Sequence, residues 1–329
     1  TIFGGWETQY WSLDHERYFP LLLENRVLNY IEIATASDFL NMLSNPTGSY
    51  KIVQDIDLAN SEDSWYDKIA TNSNFIFDID FQGVLVGEKE DDGGIPVVSG
   101  LKLSPGYSNQ DAGLFRQSTN AIFRNITFVW EDGTDNVAVN LNNKVTINTF
   151  GGVSAYDQNS QFTNITVRVA NTSANNESNP NIETSLFGES NITNRGSIAG
   201  FGGVVGHADN STITNCTFSG YVNTNLSNSV STSNIDFGAI VGLATRSGFS
   251  EDEEGNIVEG NTTIMNSYVG MNYSEMEEIE KTKFDLSILG GSTVNIGGAV
   301  GRAVSSAVSA INVGGYTYSS DYQKVTFNI

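Results

Sequence analysis

Cysteine is almost absent. Cys216 stands alone, so no intrachain disulfide forms, and a disulfide-stapled scaffold and a thiolate zinc cluster are both excluded. In its alternating Thr-Asn-Cys-Thr-Phe setting it reads as a small buried hydrophobe, not a reactive thiol. Basic residues are scarce. Sixteen Lys and Arg face 38 Asp and Glu, a net charge of −22, which argues against nucleic acid as a partner and against docking on anionic lipid. No apolar run approaches the roughly 20 residues of a membrane helix, so no membrane insertion is expected. Histidine is limited to His15, in a polar turn, and His207; with no His-Glu-x-x-His present, a zinc-protease centre is not legible. Proline is rare, at 5 against 33 Gly, and Asn, Ser and Thr abound. That balance points to many short strands joined by turns. At 39% hydrophobic residues the chain can build a core and is not bulk-disordered. It begins at Thr1 without initiator Met or signal peptide, and is expected to be a processed protein or a piece of a longer one.

What is present is a repeat. Five glycine-rich segments align: Ala112-Gly113-Leu114-Phe115, Gly151-Gly152-Val153-Ser154, Gly202-Gly203-Val204-Val205-Gly206, Gly238-Ala239-Ile240-Val241-Gly242 and Gly297-Gly298-Ala299-Val300-Gly301. A second motif follows each: Ile122–Phe128, Phe162–Val167, Ile213–Phe218, Ile264–Val269 and Val308–Val313. The offset from the first small residue to the Asn of the second motif is 13 in the first three copies. The fifth copy keeps 13, with Ala310 in the Asn slot; the fourth stretches to 28 around an acidic insertion, Ser250–Gly260. Both motifs alternate apolar and polar residues, so each is expected to be a short strand with one buried face. A lone strand of this kind has nothing to bury against. Stacked copies build a continuous core, the logic of a solenoid. The glycines, Gly113, Gly152, Gly203, Gly206, Gly238, Gly242, Gly297 and Gly301 among them, mark tight turns or close approach of a neighbouring coil. Asn at a fixed slot suits a bend, and stacked Asn residues form ladders.

Residues 1–111 differ from this body. Trp11–Leu13 through Tyr18–Leu22 read as a strand and an extended Pro segment. Ala34–Leu43 reads as a short helix with Thr35 or Ser37 as N-cap, ended by Pro46 and Gly48. Tyr50–Val53, Asp55–Leu58, Phe75–Phe81, Val84–Val86 and Val97–Leu103 read as strands, and Glu88–Gly94 as an exposed charged loop. The organisation is therefore 1–22 as the end of a preceding repeat block, 23–111 as a leader with first coils, and 112–329 as the repeat body.

These residues resemble the GLUG repeat of bacterial surface proteins, found in large adhesins and ahead of the protease in IgA-cleaving metalloendopeptidases. The leader shares the resemblance through Ile33–Phe39, Tyr50–Leu58 with its Asp-Ile-Asp-Leu, Phe81-Gln82-Gly83 and Ile95–Leu103. The resemblance implies an all-β fold, a right-handed parallel β-helix outside the cell, with a short helix and β leader and loop or helix insertions. Ser154, Ala155 and Ala310 depart from the repeat pattern.

The carboxylate pairs Asp55/Asp57 and Asp78/Asp80 sit at i, i+2 on strands, so each pair shares a face. Such pairs serve acid catalysis when they converge across a cleft, but turn capping and solvation at the first coil are the expected roles. Calcium is the only cofactor the composition leaves open, at Asp132-Gly133-Thr134-Asp135 or Glu251–Asn256; neither matches a known calcium loop, so no cofactor is expected. Ser274–Phe284 carries a capping box, Ser274-x-x-Glu277, and reads as a short acidic helix on the side of the stack. Tyr316 and Tyr318 read as one face of a last strand, near Tyr322. Ten sequons begin at Asn125, Asn164, Asn171, Asn176, Asn191, Asn210, Asn215, Asn225, Asn261 and Asn272. Three of them, Asn125, Asn164 and Asn215, follow automatically from the repeat; the rest are read as loop sites better suited to glycans. The expected function is a non-enzymatic structural or adhesive segment of a large extracellular surface protein. Its partners would be copies of itself, end-to-end or lateral, or a cell-surface glycan ligand. A carbohydrate-binding or polysaccharide-active β-helix and a spacer within a surface protease are the alternatives.

Overall fold

The computed structural model describes residues 11–12, 21–22, 29–59, 73–131, 137–141, 145–170, 185–187, 196–227, 234–246, 249–251, 257–259, 262–270, 282–290, 293–304, 306–309, 312–313, 317–321 and 324–328. Over these residues the chain is all-β, with one short helix. Most strands join two large sheets whose pairing is predominantly parallel, and neither sheet closes into a barrel. In the first sheet the main path runs through Ile31–Ile33, Ser49–Ile52, Val84–Gly87, Ile122–Trp130, Gln161–Val169, Thr212–Thr214, Thr263–Met265 and Ala307–Ser309. The order is that of the sequence, so each repeat adds one rung beside the last. The leader strands continue the same ladder as the body. In the second sheet Phe75–Phe81, Gln110–Thr119 and Thr146–Gln158 are followed by rungs split in two: Gly200–Gly202 with Val205–Asp209, Ile235–Gly238 with Val241–Thr245, and Val294–Gly297 with Val300–Ala303.

Equivalent residues stack on one another because the register is held from rung to rung. Phe123 pairs with Phe162, then Ile213, then Ile264. Phe150 pairs with Phe201, then Phe237. The rings stack accordingly, Phe123 on Phe162 at 4.8 Å and Phe201 on Phe237 at 4.6 Å between centroids. The two sheets face each other across this core. Phe115 of the second meets Phe123 of the first at 5.5 Å, and Trp130 of the first meets Phe150 of the second at 5.4 Å. Each buried Phe contributes about 2–3 kcal/mol from area alone, and each ring pair about 0.5–1.5 kcal/mol more. The leader helix, Ala36–Leu40, closes this end of the core with Phe39, whose ring packs edge-on against Phe77 at 5.2 Å. Thr35 is its N-cap, in a capping box with Asp38.

Asparagine makes the bends of the first sheet. Asn125, Asn164, Asn215 and Asn266 all hold left-handed backbone, with φ of 56°, 55°, 55° and 49°. Their side chains form a ladder: Asn164 Nδ2 donates to Asn125 Oδ1 at 3.0 Å, and Asn215 Nδ2 donates to Asn164 Oδ1 at 3.2 Å. A second asparagine column is not legible as a repeat. Asn120, Asn159 and Asn210 also have positive φ, at 53°, 58° and 54°, and turn the chain from the second sheet into the first. The residues that follow form a column in which Ser160 Oγ accepts from Ala121 N and Thr262 Oγ1 accepts from Ser211 N.

The structure corrects several expectations. The Gly-Gly-x-Val-Gly motif is not a strand with one buried face in the later rungs: it is the corner between two strands, and Val204 and Val205 are both buried. The first copy pairs Gly113, not Ala112, with Gly151, so its corner is one residue shorter than the alignment implies. The leader α-helix stops at Leu40 and continues as a 3-10 turn, Asn41–Ser44. Lys283 and Phe284 belong to the strand Lys283–Gly290, not to an acidic helix; residues 274–281 lie outside the described residues. The two ends of the acidic insertion pair with each other as antiparallel strands, Phe249–Glu251 with Ile257–Glu259.

Candidate functional site

The corner glycines explain the shape of the second sheet. A Cβ on Gly202 would lie 1.8 Å from the Val205 carbonyl oxygen, within its own turn, so the turn itself excludes a side chain there. At Gly203 the obstacle is the next rung: a Cβ would lie 2.1 Å from the Ala239 carbonyl oxygen and 2.3 Å from the Phe218 ring. Both readings of the glycines hold, at neighbouring positions. Beyond the turn the outer faces of the two arms converge, because a Cβ on Gly206 would meet the Thr149 methyl at 2.5 Å.

This concave corner gathers polar side chains that lie far apart in sequence. Before the turn, Gly200 pairs with Asp236, and Asp236 with Asn295. After the turn, Tyr156 pairs with His207, His207 with Leu243, and Leu243 with Arg302. Arg302 reaches across the corner and grips Asp236 with both ends of its guanidinium, Nε to Oδ1 and a terminal nitrogen to Oδ2, each at 2.8 Å. Asn295 Nδ2 donates to the same Oδ1 at 2.8 Å. The carboxylate is 9% exposed as a side chain, so this fork is a buried charge with its lone pairs filled. Asp236 raises the Arg302 pKa further. Next to it, His207 Nε2 shares a 2.8 Å hydrogen bond with Thr245 Oγ1, and Thr245 donates to Asp209 Oδ1 at 3.2 Å. The Tyr156 ring meets the imidazole edge-to-face at 5.0 Å. Burial holds the His207 pKa below its ordinary value against the pull of Asp209 and Asp236, so the ring is neutral at physiological pH. Burial also raises Tyr156, and Asp209 and Asp157 add to it. Gly200, in the strand before the turn, is closely packed: a Cβ there would lie 3.0 Å from Thr149 Oγ1 and 3.1 Å from the Asn148 carbonyl oxygen. In the sequence His207 is isolated; the register that puts it in one column with Arg302, two rungs on and with Leu243 between them, is a signal available only once the rungs are placed.

The carboxylates singled out from the sequence do not converge. Asp55 and Asp57 lie at the first sheet, Asp78 and Asp80 on a strand of the second. Asp55 accepts from Val97 N at 2.7 Å and pairs with Lys89 at 2.9 Å, and these contacts lower its pKa although burial opposes them. Asp57 caps Ala59 N at 2.9 Å. Asp78 pairs with Arg116 at 2.8 Å, and Asp80 accepts from Gln82 at 2.9 Å. Cys216 is fully buried among the rungs, and burial pushes its thiol up to about 12. Among the sequons, Asn225 is corrected: it lies in the strand Tyr221–Ser227, buried, not in a loop. Asn125, Asn164 and Asn215 stand in the ladder, and Asn210 is at a corner. His15, Asn171, Asn176, Asn191, Asn261, Asn272, Asp132–Asp135, residues 252–256, Ala310, Tyr316 and Tyr322 lie outside the described residues. Among the described residues no group of three or more metal-ligating side chains occurs, and no helix is long and apolar enough to cross a membrane.

Residues 199–225 match the family described as the GLUG motif. That stretch carries one glycine corner, both asparagine bends of its rung and the strand after them. No curated protein matches the chain. Among solved structures, one titled IgA1 Protease aligns with 90% of this chain at 14% identity, with a TM-score of 0.34. The alignment spans 22% of that protein's length and is too distant to bear on activity.

Proposed function

We propose that the chain is a non-enzymatic, adhesive and structural segment of a secreted or surface-exposed protein, with its rungs stacked as a right-handed parallel β-helix. The observation that supports it is the continuous register. Equivalent residues pair from the leader through five repeats, and an Asn ladder is held at the same bend. A stack built this way is stiff along its axis, because every rung is hydrogen-bonded to both neighbours. The GLUG match over one rung supports a place at the cell surface. The net charge of −22 keeps such a rod soluble and off nucleic acid. Neither carboxylate pair sits across a cleft from the other, which favours scaffold over hydrolase. The region would need no cofactor, and its partners would be a glycan at a cell surface or further copies of itself. Negative-stain electron microscopy of the purified chain tests the scaffold reading. Straight rods of uniform width are expected; compact, isotropic particles would overturn it.

A further inference from the structure

We propose that the two ends of the stack dock on each other, so that copies of this chain join head to tail, the last rung of one against the leader end of the next. The inference rests on the stacked-rung reading above and names the surfaces that bring copies together.

The core is sealed along its sides and open at its ends. One column begins at Ile31 and runs through Tyr50, Leu85, Phe123, Phe162, Ile213 and Ile264 to Val308, each the direct partner of the next. No member between the two ends is more than 3% exposed, whereas Ile31 is 50% exposed and Val308 43%. The hydrophobic residues only partly buried against the core follow the same rule. Ala36 and Leu43 belong to the leader helix and the 3-10 turn after it, and Ile79 to the first strand of the second sheet. Val294, Ile296 and Val300 belong to the last rung.

The backbone ends in the same way. Among the described residues, Ile31–Ile33 and Ala307–Ser309 are the two outermost strands of the first sheet's main path, each paired on one side only. Every pair along that path is parallel, so both edges run in one direction. The leader edge of a second copy therefore fits beside Ala307–Ser309 without reversing the ladder. Ile31 of that copy would follow Val308 as Val308 follows Ile264, and the column would close over.

Charge selects the pairing of ends. Between Asp285 and Asp321 the one charged residue is Arg302, which Asp236 already pairs. The last rung is thus neutral in a chain of −22, and Ala307–Ser309 has none of the Lys, Glu or Pro that guards a sheet edge. The leader edge carries the exposed Glu32. Two leader ends face to face would set Glu32 against Glu32, a repulsion that a neutral last rung avoids. Two last rungs face to face would have to pair antiparallel, which no described pair of the first sheet does. A contact between two unlike surfaces stacked along one axis leaves both ends free to repeat it, which builds a filament.

The test is analytical ultracentrifugation of the whole chain over about 1–100 µM. The average mass is expected to rise with concentration. Val308→Lys and Ile31→Lys each place a charge where the contact would bury it, and each is expected to weaken association at least about tenfold. Both positions are exposed in the single chain, so both variants are expected to melt close to the parent. Cross-linking then reads the orientation. An oxidised mixture of the Ile31→Cys and Val308→Cys variants is expected to give dimers joined from position 31 to position 308, with either variant alone giving few. A single-chain mass at every concentration, association unchanged in both lysine variants, or Val308→Cys cross-linking to itself as readily as to Ile31→Cys would each overturn the proposal. Single rods that never associate overturn this contact and leave the rod reading intact; compact particles in the microscope overturn the rod itself.

Discussion

Asp157 is a carboxyl group in the wrong solvent, and it makes stability depend on pH in an unusual direction. It is fully buried, in a column that continues as Ala208 and Ala244 in the next rungs. Its Oδ1 takes the Ser118 hydroxyl. Its Oδ2 takes no hydrogen bond. The Ser160 and Ser211 hydroxyls lie near enough to offset part of the burial, but their protons go to the carbonyls of Gln158 and Asp209. Burial therefore dominates and raises the carboxyl from 3.8 to about 6. A raised pKa in the folded state means that the group's stabilising contribution is complete below its unfolded value. That contribution falls as pH rises, and is gone above the folded value. The rise from 3.8 to about 6 corresponds to about 3 kcal/mol at neutral pH. Asp157→Asn keeps the acceptor for Ser118 and removes the ionisation. Denaturant melts at about pH 4 and about pH 7.5 should show the variant close to the parent at the lower pH. At the higher pH it should be more stable by up to about 3 kcal/mol. A stability difference that is the same at both pH values would rule this out, because it would mean that Asp157 does not change protonation with folding.

Other perturbations separate the parts of the fold. Asn164→Ala should cost about 2–4 kcal/mol, from two ladder bonds and a left-handed backbone. Asn164→Gly, which relieves the backbone, should recover about 1 kcal/mol of that in the same melts. Gly203→Ala places a methyl 2.1 Å from the Ala239 carbonyl and should prevent stable folding. Gly93→Ala, where nothing lies within 4 Å but φ is +68°, should cost only about 1 kcal/mol by chemical denaturation. Cys216, with its thiol pushed up to about 12, should resist iodoacetamide in the native protein and react once it is unfolded; rapid native labelling, read by intact mass, would contradict its burial.

The parallel ladder is readable because its cause is local and periodic. Phe123, Phe162, Ile213 and Ile264 recur before bends of the same type, and the Asn slot carries the conformation that the bend requires. The Gly-Gly corner, which its sequence pattern presents as a strand, has a different cause. Val204 and Val205 are both buried, which alternation forbids in a half-buried strand but a corner permits, since the chain turns between them. The column of Asn120, Asn159 and Asn210 is hidden because its neighbours vary: Ala121, Ser160 and Ser211 share a position without sharing a motif. The polar corner is illegible for a stronger reason. Asp236 and Arg302 are 66 residues apart, and only the fold of the turn joins their faces. Asp78 and Asp80 illustrate the converse: an eye-catching spacing that the structure uses on Arg116 and Gln82.

Successive repeats stack in fixed register along one axis, and distances along the ladder test this stacking. Lys51 connects to Ser309 through Val86, Arg124, Thr163, Thr214 and Met265, each the direct partner of the next. Six parallel steps span about 29 Å, and the four steps from Lys51 to Thr214 span about 19 Å. Spin labels at introduced cysteines in these pairs, with buried Cys216 silent, would give the distances directly by pulsed electron paramagnetic resonance. Two narrow distributions near those values, the longer pair exceeding the shorter by about two rung spacings, are expected. Broad distributions, or a Lys51–Ser309 distance no longer than Lys51–Thr214, would contradict the stack.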